Sequence, residues 1–575
     1  MQSLSQLYYL HGIGYEYTKY TGEHVIFDES TRMQALSCCG VDTQDTDAIN
    51  QLNFALDAGT WLNLLPHTSI IEAHHPILKV RVDERLLSRS CTLSVPSLDI
   101  HFTCENLQGL AILGDYGLNG IRYLELALPV PEMPIGYHDA LITVADQQSH
   151  SQLWITPKES FSIDDKKRLG LSIQLYSLCN EEGLGIGDFA DLTKLIKAAA
   201  TKNMDYVLLN PLHLLFEHSP ERASPYSPNS RALLNPLYIA VSLCEDAKNN
   251  NAVIKLLADK PQTDATYIDY TSVSDFKYQV FSCLYQHFCE FGSAERKQQF
   301  TRFCETHKHS LSTMLVGDRD YASYLQWQAH LQLNICQQAA RDSGMAIGLI
   351  NDLAVGCAGD GSEFKSQNEL FAENAHVGAP PDPWAEHGQN WGLPALNPQK
   401  LSKDNFAFYR SLIRANMEDV GGLRIDHVMA IRRLWWCFEN NSQQDGCYVY
   451  YPFEQLLAIL KIESHLNQCV VIGEDLGVVP NEVREALKAS AIYSNGLFYF
   501  EKDHQGEFLA AEHFAPHSLL MIANHDVPPF KGWWIGHDIT IKQQYGLLDD
   551  EQTRAQFDAR NIEKHRMLNF IARES

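Results

Sequence analysis

The stretch Gly421-Gly422-Leu423-Arg424-Ile425-Asp426-His427 decides how this chain is read. A short, glycine-led apolar run that ends in a carboxylate has the form of a buried strand. Within it Arg424 and Asp426 lie two apart and project to the same side. A guanidinium beside the carboxylate would hold Asp426 ionised, as a nucleophile requires. A structural Arg–Asp pair inside a barrel is the plainer alternative. Comparable runs lie on both sides, at 171–175, 205–209, 346–352, 469–474, 496–500 and 518–524. Helical patterns at 189–201, 453–464 and 481–489 fall between them. This alternation predicts βα units and a parallel sheet. The long gap between 209 and 346 carries helical patterns at 274–289 and 321–341, so it predicts an inserted helical subdomain.

Several of these strands end in acid: Asp352, Asp426 and Glu474, and the last runs into Asn524-His525-Asp526. In parallel α/β barrels the chemistry collects at the carboxyl ends of the strands. Among 71 acidic residues one such ending is unremarkable. Several in one βα series predict a carboxylate active site.

The 575 residues carry 45 Lys and Arg against 71 Asp and Glu, a formal charge of −26. Such a field repels nucleic acid and anionic lipid and suits a neutral or cationic partner. No secretory leader and no bilayer-length apolar stretch is visible, and the 14 cysteines are scattered without a CxxC pair. Buried thiols in a reducing compartment, and hence a cytoplasmic protein, are expected. Neither metal nor cofactor is expected; there is no GxGxxG at a strand–helix junction and no GxxxxGK[ST].

The first 157 residues have a different texture. Helical patterns at 30–39 and 46–56 precede six strand-like segments at 69–74, 77–82, 92–102, 122–128, 138–144 and 152–156. This predicts an antiparallel, β-sandwich-like N-terminal domain at 1–157, ahead of a catalytic unit at 158–575.

Near an ionised Asp426, Glu474 would retain its proton more strongly, fitting it as a general acid. Two carboxyls in these roles, about 5–5.5 Å apart, define a retaining glycosidic mechanism. Asp426 would attack the anomeric carbon while Glu474 protonates the departing oxygen; Asp526 and His525 would hold sugar hydroxyls. Two loops suit a sugar chain: Ser224-Pro225-Tyr226-Ser227-Pro228-Asn229-Ser230-Arg231, and Gly378–Trp384 followed by Gly388-Gln389-Asn390-Trp391-Gly392. Aromatic faces stack on pyranose rings and amides bond their hydroxyls. For Trp435-Trp436 ordinary packing is the expectation.

Taken together, these residues resemble the 4-alpha-glucanotransferases (amylomaltases, glycoside hydrolase family 77). The similar stretches are Gln174–Leu178, Gly185–Phe189, Asn210–His213, Ser224–Arg231, Leu234–Tyr238, Asp352–Gly356, Gly378–Asp382, Gln389–Pro394, Leu423–His427 and Ile472–Gly477. The N-terminal part resembles the extra domain of the bacterial maltose-pathway subgroup. The resemblance implies a (β/α)8 TIM-type barrel with a helical insertion at about 240–345 and a substrate-covering loop at about 357–400. It implies Asp426 as nucleophile, Glu474 as acid/base and Asp526 as transition-state stabiliser, with substrate contacts from Tyr226, Asp352, Trp391, Arg424 and His525. The implied reaction moves an α-1,4-glucan segment to the 4-hydroxyl of glucose or a maltooligosaccharide, without cofactor. Two departures stand out. Asn524 occupies a place where the family commonly has Thr. Seven strand candidates also fall short of the eight of a closed barrel, which leaves two readings: an eighth strand is hidden, or the last βα unit is missing. Two alternatives accompany this reading: a retaining α-glucan hydrolase, and a truncated, inactive glucan-binding form.

Overall fold

The computed structural model describes residues 2–178, 183–261, 267–315, 317–382, 385, 387–439, 445–477 and 479–574. The chain divides into two compact units, Met1–Val471 and Ile472–Ser575.

In the first unit, four parallel strands carry the βα pattern: β1 (Gly170–Ser172), β2 (Tyr206–Leu208), β3 (Gly348–Leu353) and β4 (Gly422–Ile425). They pair in that order. All of β3 and β4 is buried, which explains why both read as continuous apolar runs rather than alternating ones. The register sets Asp352 opposite Arg424 and Leu353 opposite Ile425. Glycine at the start of β4 is a packing requirement: a Cβ on Gly421 would lie 1.8 Å from the Ile347 carbonyl oxygen. β5 (Val470–Gly473) begins in this unit, where Val470 N–H donates to the Gly421 carbonyl at 3.0 Å.

The insertion between β2 and β3 is helical, as its patterning predicts. Its longest helices are Tyr270–Phe291 and Arg319–Asp342, each started by an aspartate, Asp269 or Asp318, whose side chain caps the first turn. Two buried glutamines of the second helix clamp backbone at the end of the strand Ser230–Leu234 and in the irregular segment after it. Gln326 both donates to and accepts from Leu234, and Gln332 does the same with Ala240. Buried backbone outside regular structure needs such partners.

Residues 68–156 form a sandwich. One sheet has five strands in the order Thr68–Glu72, Gln147–Thr156, Gly136–Val144, Cys91–Val95, Ile100–Cys104. The other has three, Ile77–Asp83, Ile121–Pro129 and Ile112–Leu118, in that order. Alternate residues of both, such as Val80, Leu126, Leu128, Leu93, Ile142 and Leu153, fill a common core. The predicted strand 92–102 is in fact two, because Pro96–Leu98 turns the chain back into a hairpin. Ile112–Leu118 went unread because both its faces are largely open. One pair, Thr68–Glu72 with Gln147–Thr156, is parallel.

A second departure is a four-stranded antiparallel sheet in the order Gln389–Leu396, Phe371–Ala379, Arg433–Phe438, Cys447–Tyr450. The stretch read as a covering loop is therefore largely a β-hairpin; Pro383-Trp384 lie outside the described residues. Trp435 and Trp436 are buried in this sheet, as expected for packing. Trp435 meets Tyr17 and Phe27 of the N-terminal segment.

In the second unit, the end of β5 pairs in parallel with β6 (Tyr493–Leu497), which pairs in parallel with β7 (Ser518–Met521). The strand expected at 496–500 lies three residues earlier, and Phe498–Phe500 form a 3-10 turn. Beyond β7 the described residues run through helices Phe530–Ile535, His537–Gln544 and Asp550–Glu574 without another strand. Tyr499, Phe508, Trp533 and Met567 make this unit's apolar core.

Trp154 joins the sandwich to the helix Ala407–Met417. Fully buried, it packs edge-on against Phe406 and Tyr137, and the Arg410 guanidinium lies 5.7 Å from its ring. Trp154→Ala is expected to destabilise the first unit by about 3–5 kcal/mol, the usual cost of emptying a buried aromatic site. Denaturant unfolding of the full chain checks this; a loss below about 1 kcal/mol would refute the role given to this contact.

Candidate active site

At the carboxyl end of β3 and β4 a buried charge network forms. Arg424 is almost fully buried, and its Nη1 donates to Asp352 Oδ1 at 2.7 Å and to Asp426 Oδ1 at 3.2 Å. The Tyr226 hydroxyl donates to the other oxygen of Asp352 at 2.8 Å. Tyr226, Asp352, Arg424 and Asp426, picked from separate motifs, are thus one connected group. Burial opposes the charge on Arg424, yet the two carboxylates outweigh it and drive its pKa up. Burial and the charge of Asp352 push the Tyr226 phenol up, so it stays a donor. With one cation and two anions, the group is net negative when both acids are ionised.

Asp426 is positioned by backbone as well: its N–H donates to the Leu353 carbonyl at 3.0 Å. The next residue, His427, turns the chain sharply with φ of 48°. Its ring meets Trp391 edge-on at 5.3 Å, and Trp391 Nε1 donates to Gln389. Trp391 therefore lies beside the residue that follows Asp426. Nothing in the sequence around His427 signals this contact, because Trp391 is distant along the chain.

The turn after β3 is held by a second buried network that sequence reasoning missed. Arg231 donates to Glu363 through Nε at 3.0 Å and Nη2 at 2.6 Å, and its Nη1 reaches the carbonyls of Ala354 and Val355. Ala354 N–H donates to His213 Nε2 at 3.2 Å. His213 and Arg231 each sat in a motif, but Glu363 carried no signal. Burial, reinforced by the Arg231 charge, pulls the His213 pKa down to about 3.

The second unit holds the remaining predicted residues. Glu474 is buried at the end of β5, and its Oε1 accepts from Leu476 N–H at 2.7 Å. Its neighbour Asp475 is a structural acid, accepting from Asn495 N–H at 3.2 Å and facing Arg484 at 3.5 Å. After β7, Asn524 and Asp526 bond reciprocally. The Asn524 amide donates to Asp526 Oδ2 at 3.2 Å, and Asp526 N–H donates to Asn524 Oδ1 at 3.0 Å. His525 Nε2 lies 3.2 Å from Asp526 Oδ1. Asn524 therefore supplies a side-chain donor to Asp526.

Comparison with known proteins identifies the family. The profile of a glycoside hydrolase family described as 4-alpha-glucanotransferase matches residues 173–316 and 312–574. A 4-alpha-glucanotransferase of Haemophilus influenzae is 34% identical over 507 residues, covering 78% of this chain and 72% of the relative. One of Mycobacterium tuberculosis is 28% identical over 600 residues, covering 95% of this chain and 82% of the relative. The crystal structure of amylomaltase from Corynebacterium glutamicum superposes with a TM-score of 0.86 at 26% identity, covering 99% of this chain and 86% of that one.

Glu363→Ala would leave the Arg231 guanidinium buried without its carboxylate, at an expected cost of about 3–5 kcal/mol. A melting temperature equal to wild type would contradict this. His213 gives a pH signature. Its folded pKa lies below the unfolded value of about 6.5, so above that pH it contributes no slope. Between there and about pH 3 the unfolded chain takes up a proton that the fold refuses, and stability falls. His213→Gln, which keeps an acceptor for Ala354, is expected to lose stability less steeply from pH 6 to 4. Parallel curves for the two proteins would count against a neutral buried His213.

Proposed function

The chain belongs to the 4-alpha-glucanotransferase family, and from that membership we propose a role for each polar group above. Its activity is the transfer of an α-1,4-glucan segment from a donor to the 4-hydroxyl of an acceptor sugar, on a TIM-type α/β fold. The mechanism is retaining, by double displacement through a glycosyl-enzyme intermediate.

In this reading Asp426 attacks the anomeric carbon. Glu474 protonates the departing oxygen, then takes the proton from the acceptor hydroxyl that breaks the intermediate. Asp526 supports the oxocarbenium-like transition state, and His525 donates to sugar hydroxyls. Asp352 and Tyr226 bind hydroxyls, Arg424 keeps Asp426 ionised, and Trp391 offers a ring face to a pyranose. The observation that carries the reading is the Arg424 bridge, which draws together Asp352 and Asp426 from adjacent strands. A nucleophile must be ionised while its acid partner is protonated, and a directly paired guanidinium supports the first of these states.

We further assign maltooligosaccharides and glucose as substrates and the cytoplasm as the compartment. Among the described residues no helix is long and apolar enough to cross a membrane. The free, mostly buried cysteines fit a reducing environment. Residues 1–157 are assigned as a support domain and 158–575 as the catalytic domain, with the 357–400 segment covering bound glucan and excluding water. The sandwich core supports the first of these assignments.

Incubation with maltotriose tests the reading. Glucose and longer oligomers should appear while total reducing ends stay constant; a rise in reducing ends would instead favour hydrolysis. Asp426→Asn should lower turnover by at least about 10³-fold while maltooligosaccharide binding remains measurable. Near-normal turnover in that variant would remove Asp426 as the nucleophile.

A further inference from the structure

Away from this chemistry, three side chains converge with the character of metal ligands. His307, His330 and Glu418 each present one ligand atom, and these atoms lie within 4.8 Å of one another. They come from separate elements. His307 follows helix Ala294–Thr306, His330 lies in the middle of Arg319–Asp342, and Glu418 closes helix Ala407–Met417.

Each group is oriented. His307 Nδ1 donates to the Phe303 carbonyl at 2.9 Å, which turns Nε2 toward Glu418 Oε2, also at 2.9 Å. A backbone carbonyl on one ring nitrogen, with the other aimed inward, is how metal-binding imidazoles are held. The His330 side chain is nine-tenths buried, and its Nδ1 has no hydrogen-bond partner. Asp419 Oδ2 lies 3.6 Å from that nitrogen, while Asp419 Oδ1 is held by Asn334, one helical turn beyond His330, at 2.6 Å. The Phe303 ring stacks on His307 at 4.2 Å and covers the cluster with apolar surface. A His307–Glu418 ion pair would account for two of these groups but leave the His330 nitrogen buried and unsatisfied, which is costly.

We propose that His307, His330 and Glu418 bind a divalent transition-metal cation of the zinc class, with Asp419 beside them. Two imidazoles and a carboxylate suit zinc at about 2.0–2.2 Å per bond, and small side-chain rotations close the observed spacing. Glu418 and Asp419 lead into β4, the strand of Arg424 and Asp426, whereas both histidines belong to the inserted helices. The cation is therefore a cross-link between the insertion and that strand, and no step of glucan transfer passes through it.

The test uses the full chain, stripped with a chelator and desalted, then titrated with zinc against a chromophoric competitor. With 24 histidines in the chain, surface binding is expected in every sample, so the comparison is with His330→Gln. Wild type should take up one more equivalent at micromolar free zinc than the variant. Zinc should also raise its melting temperature by several degrees, a rise the variant loses. Should His330→Gln fail to fold, Glu418→Gln is read in the same way. Equal stoichiometry and equal thermal response in wild type and variant would overturn the site, leaving a plain ion pair with zinc adventitious on surface histidines.

Discussion

A single buried guanidinium constrains much of the first unit. Arg424 has only 2% of its side chain exposed. Taking such a group out of water costs several kcal/mol, recovered only when good geometry and opposite charge surround it. Asp352 and Asp426 supply that charge: Asp352 only in the observed register, where it faces Arg424 across the sheet, and Asp426 from two places along Arg424's own segment. The register in turn depends on Gly421, since any side chain there would collide with the Ile347 carbonyl. A steric constraint at Gly421 and the strand pairing therefore together bring Asp352 to the buried guanidinium.

The same logic recurs where the chain leaves regular structure. Loops carry binding groups, but their buried backbone must still find partners. Gln326 and Gln332 provide them along the segment after β2, and the Lys277 ammonium donates to the carbonyls of Leu237 and Ile239 at 2.7 and 2.8 Å. Arg231 does so after β3. The insertion thus supplies polar groups, from its helices and from the strand Ser230–Leu234, that hold the segments flanking the barrel strands. Such fully partnered networks hold one conformation in a way that apolar contacts alone do not.

What the sequence disclosed followed the range of its physical signals. Buried parallel strands and capped helices leave local traces, so β3, β4 and β5 and the helix Asn481–Ala489 were legible to within a residue or two. Arg424 and Asp426 were legible because a spacing of two has only one meaning on a strand. The four-stranded antiparallel sheet was not, since its strands are split by about 35 residues and two of them had been read as a covering loop. Glu363 and the His307, His330 and Glu418 cluster were silent for a related reason. Their partners are distant along the chain, and a single polar residue on a helix does not announce what it faces.

Charge gives the last connection. A net −26 is a property of the surface and says little about a particular site. The buried group is more selective, because its one guanidinium is shared between two carboxylates and leaves a net negative charge on ionisation. In the proposed mechanism such a site attracts the positive charge that develops at an anomeric carbon, and its net negative charge repels an anion such as phosphate. The bulk charge and the local network thus favour the same class of ligand, a neutral sugar that becomes cationic only in the transition state. In the proposed mechanism the network makes that preference catalytic, since its attraction grows as the glycosidic bond breaks.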